Sequence, residues 1–227
     1  CDGMKKMFER LHHLKPVHVM NLPNSANDAS ALSLWHSEII RLKARIEEVF
    51  QVDITEEKLR DAIHLVNEEK RALKALFDLN REKPALLSGL DMMMISFQAG
   101  FHVDRREVIR MIDTLTAEIR EAATQGRIAG DDKTPRVLLT GTPIGMGSEK
   151  VVEIVESLGA LVVAMENCGG YKTVDLRIDE SDSRDPLLLL AEKYLRIPCS
   201  VMSPNGGRLE LLDRMLNDFR IDGVQGS

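Results

Sequence analysis

The rhythm of apolar and polar positions divides this chain into two kinds of territory. From residue 28 to about 126, apolar residues recur every three to four positions, the period of a helix with one buried face. Ala31, Leu32, Leu34, Trp35, Ile39, Leu42 and Ile46 form one such stripe. Leu59, Ile63, Val66, Ala72, Leu73 and Leu76 form the next, behind Thr55 as an N-cap. Glu56 and Glu57 sit in its first turn, where the helix dipole favours acids. Pro84 breaks the pattern, and Ser88 opens a helix carrying Met92, Met93 and Met94, which read as core filler. Asp104 caps a last helix with Val108, Ile109, Ile112, Leu115 and Ile119 on its apolar side.

After residue 135 the period changes. Residues 136–140 and 161–165 are short continuous apolar runs of the kind that form strands buried on both faces. Helical patterns over 148–158, 187–194 and 209–219 follow them, and Ile221-Asp222-Gly223-Val224 opens another strand. Strands alternating with helices imply a parallel sheet. At the other end, residues 3–14 read as a helix ended by Pro16, and Val17-His18-Val19-Met20 as a short strand. The expected fold is α/β, with four regions. Residues 1–27 are the tail of a first Rossmann-like domain and 28–126 a helical bridging region. Residues 127–135 are a linker and 136–227 a second Rossmann-like domain cut short at its C-terminus.

Composition narrows the function classes. A net charge of −6 with no Lys/Arg stripe argues against a nucleic-acid partner. No apolar run approaches the roughly 18 residues of a membrane helix, and no signal peptide is evident. Three cysteines, an odd count, argue against a secreted disulfide framework and for reducing cytoplasm. The chain starts on Cys1 rather than Met, so it is expected to be an internal piece of a longer protein.

The candidate chemistry sits in loops. Gly141-Thr142-Pro143-Ile144-Gly145-Met146-Gly147-Ser148 joins a predicted strand to a predicted helix. Glycines there let the backbone approach a ligand, and the helix N-terminus favours an anion. The run is neither a Walker A motif nor Gly-x-Gly-x-x-Gly, because Lys150 stands where the third glycine belongs. The plain alternative is a tight turn with Ser148 as N-cap. Cys168 stands among turn-formers in Glu166-Asn167-Cys168-Gly169-Gly170, and Cys199 follows Ile197-Pro198. Both fall at the ends of strand-like runs, where open α/β sheets bind ligands. The six histidines form no metal pattern, no Ser/His/Asp triad is legible, and the acidic run 179–183 reads as a solvated loop.

These segments together resemble a known family. Cys1-Asp2-Gly3-Met4-Lys5-Lys6-Met7 looks like a cluster-ligand segment of the 2-hydroxyacyl-CoA dehydratase and benzoyl-CoA reductase family, with subunits like the 2-hydroxyglutaryl-CoA dehydratase D-component. The similarity continues through residues 17–23, 54–59 and Asn67-Glu68-x-x-Arg71. It is most specific at Gly141-Thr142-Pro143-Ile144-Gly145, at Glu166 to Lys172, and at Tyr194-Leu195-Arg196-Ile197-Pro198-Cys199. The resemblance implies two Rossmann-like domains bridged by helices, with an oxygen-sensitive 4Fe–4S cluster held by cysteines between them. It further implies an acyl-CoA substrate, a homologous second subunit or self-dimer, and an ATP-dependent activator that injects one electron at low potential. Radical dehydration of a 2-hydroxyacyl-CoA to an enoyl-CoA follows from it, with an open iron position for substrate oxygen.

Residue by residue, Cys1 matches a family iron ligand. Cys168 and Cys199 are further cofactor candidates, and Gly141, Thr142, Pro143, Gly145, Gly147 and Ser148 form the substrate-loop candidate. No catalytic residue is assignable. The remaining ligands are expected outside this chain, which alone is expected to be inactive. Within the family, a double-cubane iron–sulfur cluster reductase or a benzoyl-CoA-type reductase is the alternative. Outside it, the alternative is a non-catalytic α/β binding module in which the glycine loops are only turns.

Overall fold

The computed structural model of the chain describes residues 2–226; Cys1 lies outside the described residues. The elements, in order, are α1 (Asp2–Leu11), α2 (Ala31–Phe50), α3 (Glu56–Phe77), a 3-10 turn (Asp78–Arg81), α4 (Gly89–Phe101) and α5 (Arg105–Thr124). Then come β1 (Arg136–Thr140), α6 (Lys150–Ser157), β2 (Leu161–Met165), the single turn α7 (Tyr171–Val174), α8 (Pro186–Leu195), α9 (Gly206–Asp218) and β3 (Gly223–Gly226). The expected α/β class holds: the three strands form a parallel sheet in the order β2-β1-β3.

The chain divides into two compact units. The first joins Cys1–Ile63 to Ile178–Arg208, and the second joins His64–Arg177 to Leu209–Ser227.

In the first unit, α2 packs on α8. Ile63, Ile178 and Leu189 form a small core. The loop before α8 is held from within. Arg60 donates to the carbonyls of Asp182, Ser183 and Arg184 at 3.1, 3.2 and 2.9 Å. Asp185 caps α8, accepting from the Leu187 N–H at 3.0 Å, with Pro186 at the first helical position. The acidic run is thus an arginine-braced helix entry, as its solvated-loop reading expects. Two expectations fail here. Val17–Met20 forms no strand among the described residues, because a strand exists only through its ladder partner. Ile197-Pro198-Cys199 is likewise no strand but part of the turn region after α8.

The second unit holds the main core. Leu138, Leu139, Val162, Val163 and Val152 are fully buried, and α4 and α6 both pack on β2. The contact between α4 and β2 is intimate at Gly89, where an added Cβ would lie 2.6 Å from the Cβ of Val162. Several polar groups in this core tie its elements together. Asn80 donates from Nδ2 to the Leu87 carbonyl and accepts from the N–H groups of Leu86 and Leu87, pinning the bend before α4. Arg136, at the start of β1, donates to the carbonyls of Phe219, Glu82 and Asn80. Its own N–H donates to the Asp222 carboxylate at 2.9 Å. A guanidinium is suited to this, since its fixed fork can satisfy several carbonyls at once. Glu156 accepts from the N–H groups of Gly89 and Val162, tying α6 to the starts of α4 and β2. Burial pushes its carboxyl pKa up from the ordinary 4.5. Of the methionine run, Met92 and Met93 are buried as core filler, while Met94 is 39% exposed.

Candidate functional site

Parallel strands end together, so the loops after β1 and β2 meet at the carboxyl edge of the sheet in the second unit. A polar anchor lies beneath them. Glu166, the first residue past β2, is fully buried, and its N–H continues the ladder to the Leu139 carbonyl at 2.8 Å. Thr140, at the end of β1, donates its hydroxyl to Glu166 Oε2 at 2.6 Å. Lys172 Nζ lies 3.0 Å from Glu166 Oε1, with both side chains almost wholly excluded from solvent. A buried pair of this kind costs much desolvation, and removing one partner costs more. Its geometric effect is to clamp the ends of the two strands and the start of α7 to one another.

The loop after β1 needs its glycines at two points. Gly141 and Gly147 have φ of 118° and 88°, the left-handed region that side chains disfavour. Gly145 lies against the ring of Phe97, where a Cβ would be 3.0 Å from two ring carbons. Ser148 does not cap α6, as the turn reading expected. Its hydroxyl instead closes the loop, bonding the N–H and carbonyl of Gly145 at 3.0 Å each. The residue before α6 is Glu149, which makes no side-chain cap.

The loop after β2 is a tight turn. The Asn167 carbonyl accepts from the Gly170 N–H at 3.1 Å, and Asn167 Oδ1 accepts from the Gly169 N–H at 3.1 Å. Gly170 is obligatory, because a Cβ there would sit 2.2 Å from the Met165 carbonyl oxygen. Cys168 occupies the exposed tip. Tyr171 follows, buried edge-on against Phe219 with centroids 5.4 Å apart. Its hydroxyl receives hydrogen bonds from Lys74 and Arg81 and donates to Asp78 at 3.1 Å. Burial raises the phenol pKa, against the lowering pull of the Lys74 hydrogen bond, so Tyr171 stays protonated at neutral pH.

A cavity of about 210 Å³ opens between these loops and α4. Its walls are Met93, Phe97 and Phe101 of α4, with Ile144, Met165 and Asn167 of the strand ends. Phe97 and Phe101 stack obliquely, their centroids 4.8 Å apart. Of the sequence candidates, the structure brings together the loop holding Gly141, Thr142, Pro143, Gly145, Gly147 and Ser148 with the turn bearing Cys168. It does not bring Cys199 to a strand end. That residue is half-buried in the other unit, its carbonyl accepting from Asn205 Nδ2 at 2.6 Å.

Sequence reasoning missed the α4 wall and Asn167. A signal was present, since α4 is apolar on every side, with Leu90, Met92, Met93, Met94, Ile95, Phe97 and Phe101. A helix hydrophobic all round has more than one face to cover.

The family model for the 2-hydroxyglutaryl-CoA dehydratase D-component matches residues 1–225. The chain belongs to this family. A relative named "Putative dehydratase subunit YjiM", from Escherichia coli (strain K12), is 43% identical over 224 residues. That match covers 99% of this chain and 57% of the relative's length.

The described residues of this D-component family member do not by themselves fit an iron–sulfur cluster. Among them no three His, Cys, Asp or Glu side chains converge as a metal site requires. Cys168 and Cys199 are offered singly, and Cys1 lies outside the described residues. No described helix is long and apolar enough to cross a membrane.

Proposed function

We propose that this chain is part of an iron–sulfur subunit of a 2-hydroxyacyl-CoA dehydratase. The net reaction removes water from a 2-hydroxyacyl-CoA to give the enoyl-CoA, with no net change in electrons. The electron that starts it comes from an ATP-hydrolysing activator and is recovered at the end. In this reading a 4Fe–4S cluster belongs to the holoenzyme, with Cys1 as one thiolate ligand and a second, homologous subunit as partner. What supports it is the match of residues 1–225 to the dehydratase family, with two of the three most specific motifs forming adjoining loops at the sheet edge. The role of the described residues is to bind and orient. The Thr140–Glu166–Lys172 clamp fixes both loops, and the cavity beside them takes the acyl end of a substrate.

The test is anaerobic assay of the full-length protein with its partner subunit, activator and ATP. Enoyl-CoA formation with bound iron and an absorption band at roughly 400 nm is expected of thiolate-bound iron. Iron-free protein that leaves every 2-hydroxyacyl-CoA unchanged overturns the reading.

The exposed thiol of Cys168 favours a second reading within the family, a double-cubane cluster reductase, since a strand-end thiol at a turn tip has no packing role. Iron and sulfide per chain decide between the two. Cys168→Ala lowers both under the reductase reading and neither under the dehydratase reading.

A further inference from the structure

Helix α4 packs on β2 and walls the cavity beside Phe97, and it has a third apolar side. There it forms, with α5, a groove of about 690 Å³ within the second unit. Ile95 and Ala99 of α4 and Val108, Met111, Ile112 and Leu115 of α5 supply its apolar surface. Met111 is 58% exposed, an unusual place for so large an apolar side chain unless something covers it. The charges of α5 are ordered along this face. Arg110, Thr114 and Glu118 follow at four-residue spacing, so they share one side of the helix, and all three line the groove. Arg110 acts on the charge of Asp104, yet neither it nor Glu118 makes an ion pair with a described residue. Arg105 and Arg120 do pair, with Glu69 and Glu82, at 3.1 Å each. Residues 105–110 hold three arginines and one glutamate, a net of +2. Residues 113–121 hold Asp113, Glu118 and Glu121 against Arg120, a net of −2. That order runs against the helix dipole, which favours acids first and bases last, so it does not serve the helix itself.

We infer that α4 and α5 are the association face for a second copy of this chain, the two α5 helices packing antiparallel about a two-fold axis at Thr114. Such an axis makes every contact twice, residue i against j and j against i. It sets Arg110 of each copy against Glu118 of the other, and the positive half of α5 against the negative half. Met111 of each copy enters the other's groove, and the two helix hairpins become a four-helix bundle. The register also opposes Glu107 and Glu121. These stand seven residues from the axis, roughly 10 Å along the helix, and His102 Nε2 lies 3.8 Å from Glu107. At physiological salt, screening over about 8 Å lets this local pattern outweigh the overall charge of −6. Volume alone would also suit a small ligand. The two-fold order of the charges is what selects a copy of the same helix. The inference uses only this face and does not rest on the dehydratase reading.

The experiment is sedimentation equilibrium on the full-length protein and three variants. The parent is expected to be a dimer. Met111→Glu puts a charge into the apolar centre and should weaken self-association at least about a hundredfold. Arg110→Glu and Glu118→Arg should each weaken it at least about tenfold, because every dimer carries the change twice. Mixing these two variants should restore a dimer, since each repulsive pair then becomes Glu with Arg. A monomeric parent overturns the inference, whether a small ligand or the rest of the chain fills the groove. So does association with a different subunit only, a dimer indifferent to all three substitutions, or charge variants that stay apart when mixed. Should Met111→Glu fail to fold, the charge exchange at two exposed positions still decides. The two readings fail separately. Enoyl-CoA turnover by a protein whose association ignores these substitutions sinks only the docking assignment, and the predicted dimer without turnover sinks only the dehydratase reading.

Discussion

Two cysteine turns, one in each unit, show how similar local sequence leads to different environments. Cys168 and Cys199 both sit in short runs rich in Gly, Pro, Asn and Ser, and both turns are closed by an asparagine. The Cys168 turn stands on a fully buried acid, a nearly buried lysine and a strand-end hydroxyl. The Cys199 turn stands on the end of α8 and is held by backbone bonds, from the Cys199 N–H to the Ile197 carbonyl at 2.7 Å and from the Met202 N–H to the Cys199 carbonyl at 3.1 Å, and by the Asn205 side chain. The first turn is rigidly built yet presents its thiol at an exposed tip. The second half-covers its thiol. A site is recognisable here by the buried polar groups that support it more than by the cysteine it carries.

The comparison can be broken most severely at its foundation. Lys172→Met leaves the buried Glu166 without its cation, and is expected to cost about 3–5 kcal/mol of stability in denaturant unfolding. A loss below about 1 kcal/mol would mean that the pair is not what holds the Cys168 turn. Gly170→Ala drives a Cβ into the Met165 carbonyl, and a loss of about 2–3 kcal/mol is expected from the backbone shift. In the other turn, Asn205→Ala removes one side-chain hydrogen bond and should cost only about 1 kcal/mol. A cost matching that of Lys172→Met would erase the contrast.

Thiol alkylation sharpens the comparison without altering the fold. Cys168 should react faster than Cys199 in the native chain, and the two rates should converge in denaturant.

The smallest effect concerns pH. The Glu156 carboxyl is raised by burial, so the folded chain holds that proton more tightly than the unfolded chain. Its contribution to stability is present below the ordinary value of 4.5 and is lost as pH rises through the higher folded value. Glu156→Gln keeps an acceptor for the Gly89 and Val162 N–H groups and removes the titration. The variant should therefore gain on the parent as pH rises above 4.5, by less than about 1 kcal/mol, in paired unfolding curves. A parent that gains on the variant over that range would contradict the assigned cause.

Much of the fold was legible in local pattern. Thr55, Ser88 and Asp104 stand at helix starts as their side chains predict, and Thr55 Oγ1 accepts from the Lys58 N–H at 3.3 Å. The runs 136–140 and 161–165 are strands with the expected bounds. Val17–Met20 was misread because β-propensity says what fits a sheet but not whether a partner is beside it. Ser148 was misread because a hydroxyl after a glycine loop can cap the helix or close the loop. The choice belongs to the backbone geometry at Gly145.

By itself, the sequence determined the helix and strand periods, the glycine-dependent loops at strand ends and the family resemblance, because these are written in neighbouring residues. The tertiary structure alone decided that Lys172 neutralises Glu166. It also decided that Phe97, from a helix some seventy residues earlier, walls the loop of Asn167, and that this amide keeps a free donor. Each of these depends on which side chains meet across the core. That is a matter of packing and desolvation between distant segments, which no local pattern encodes.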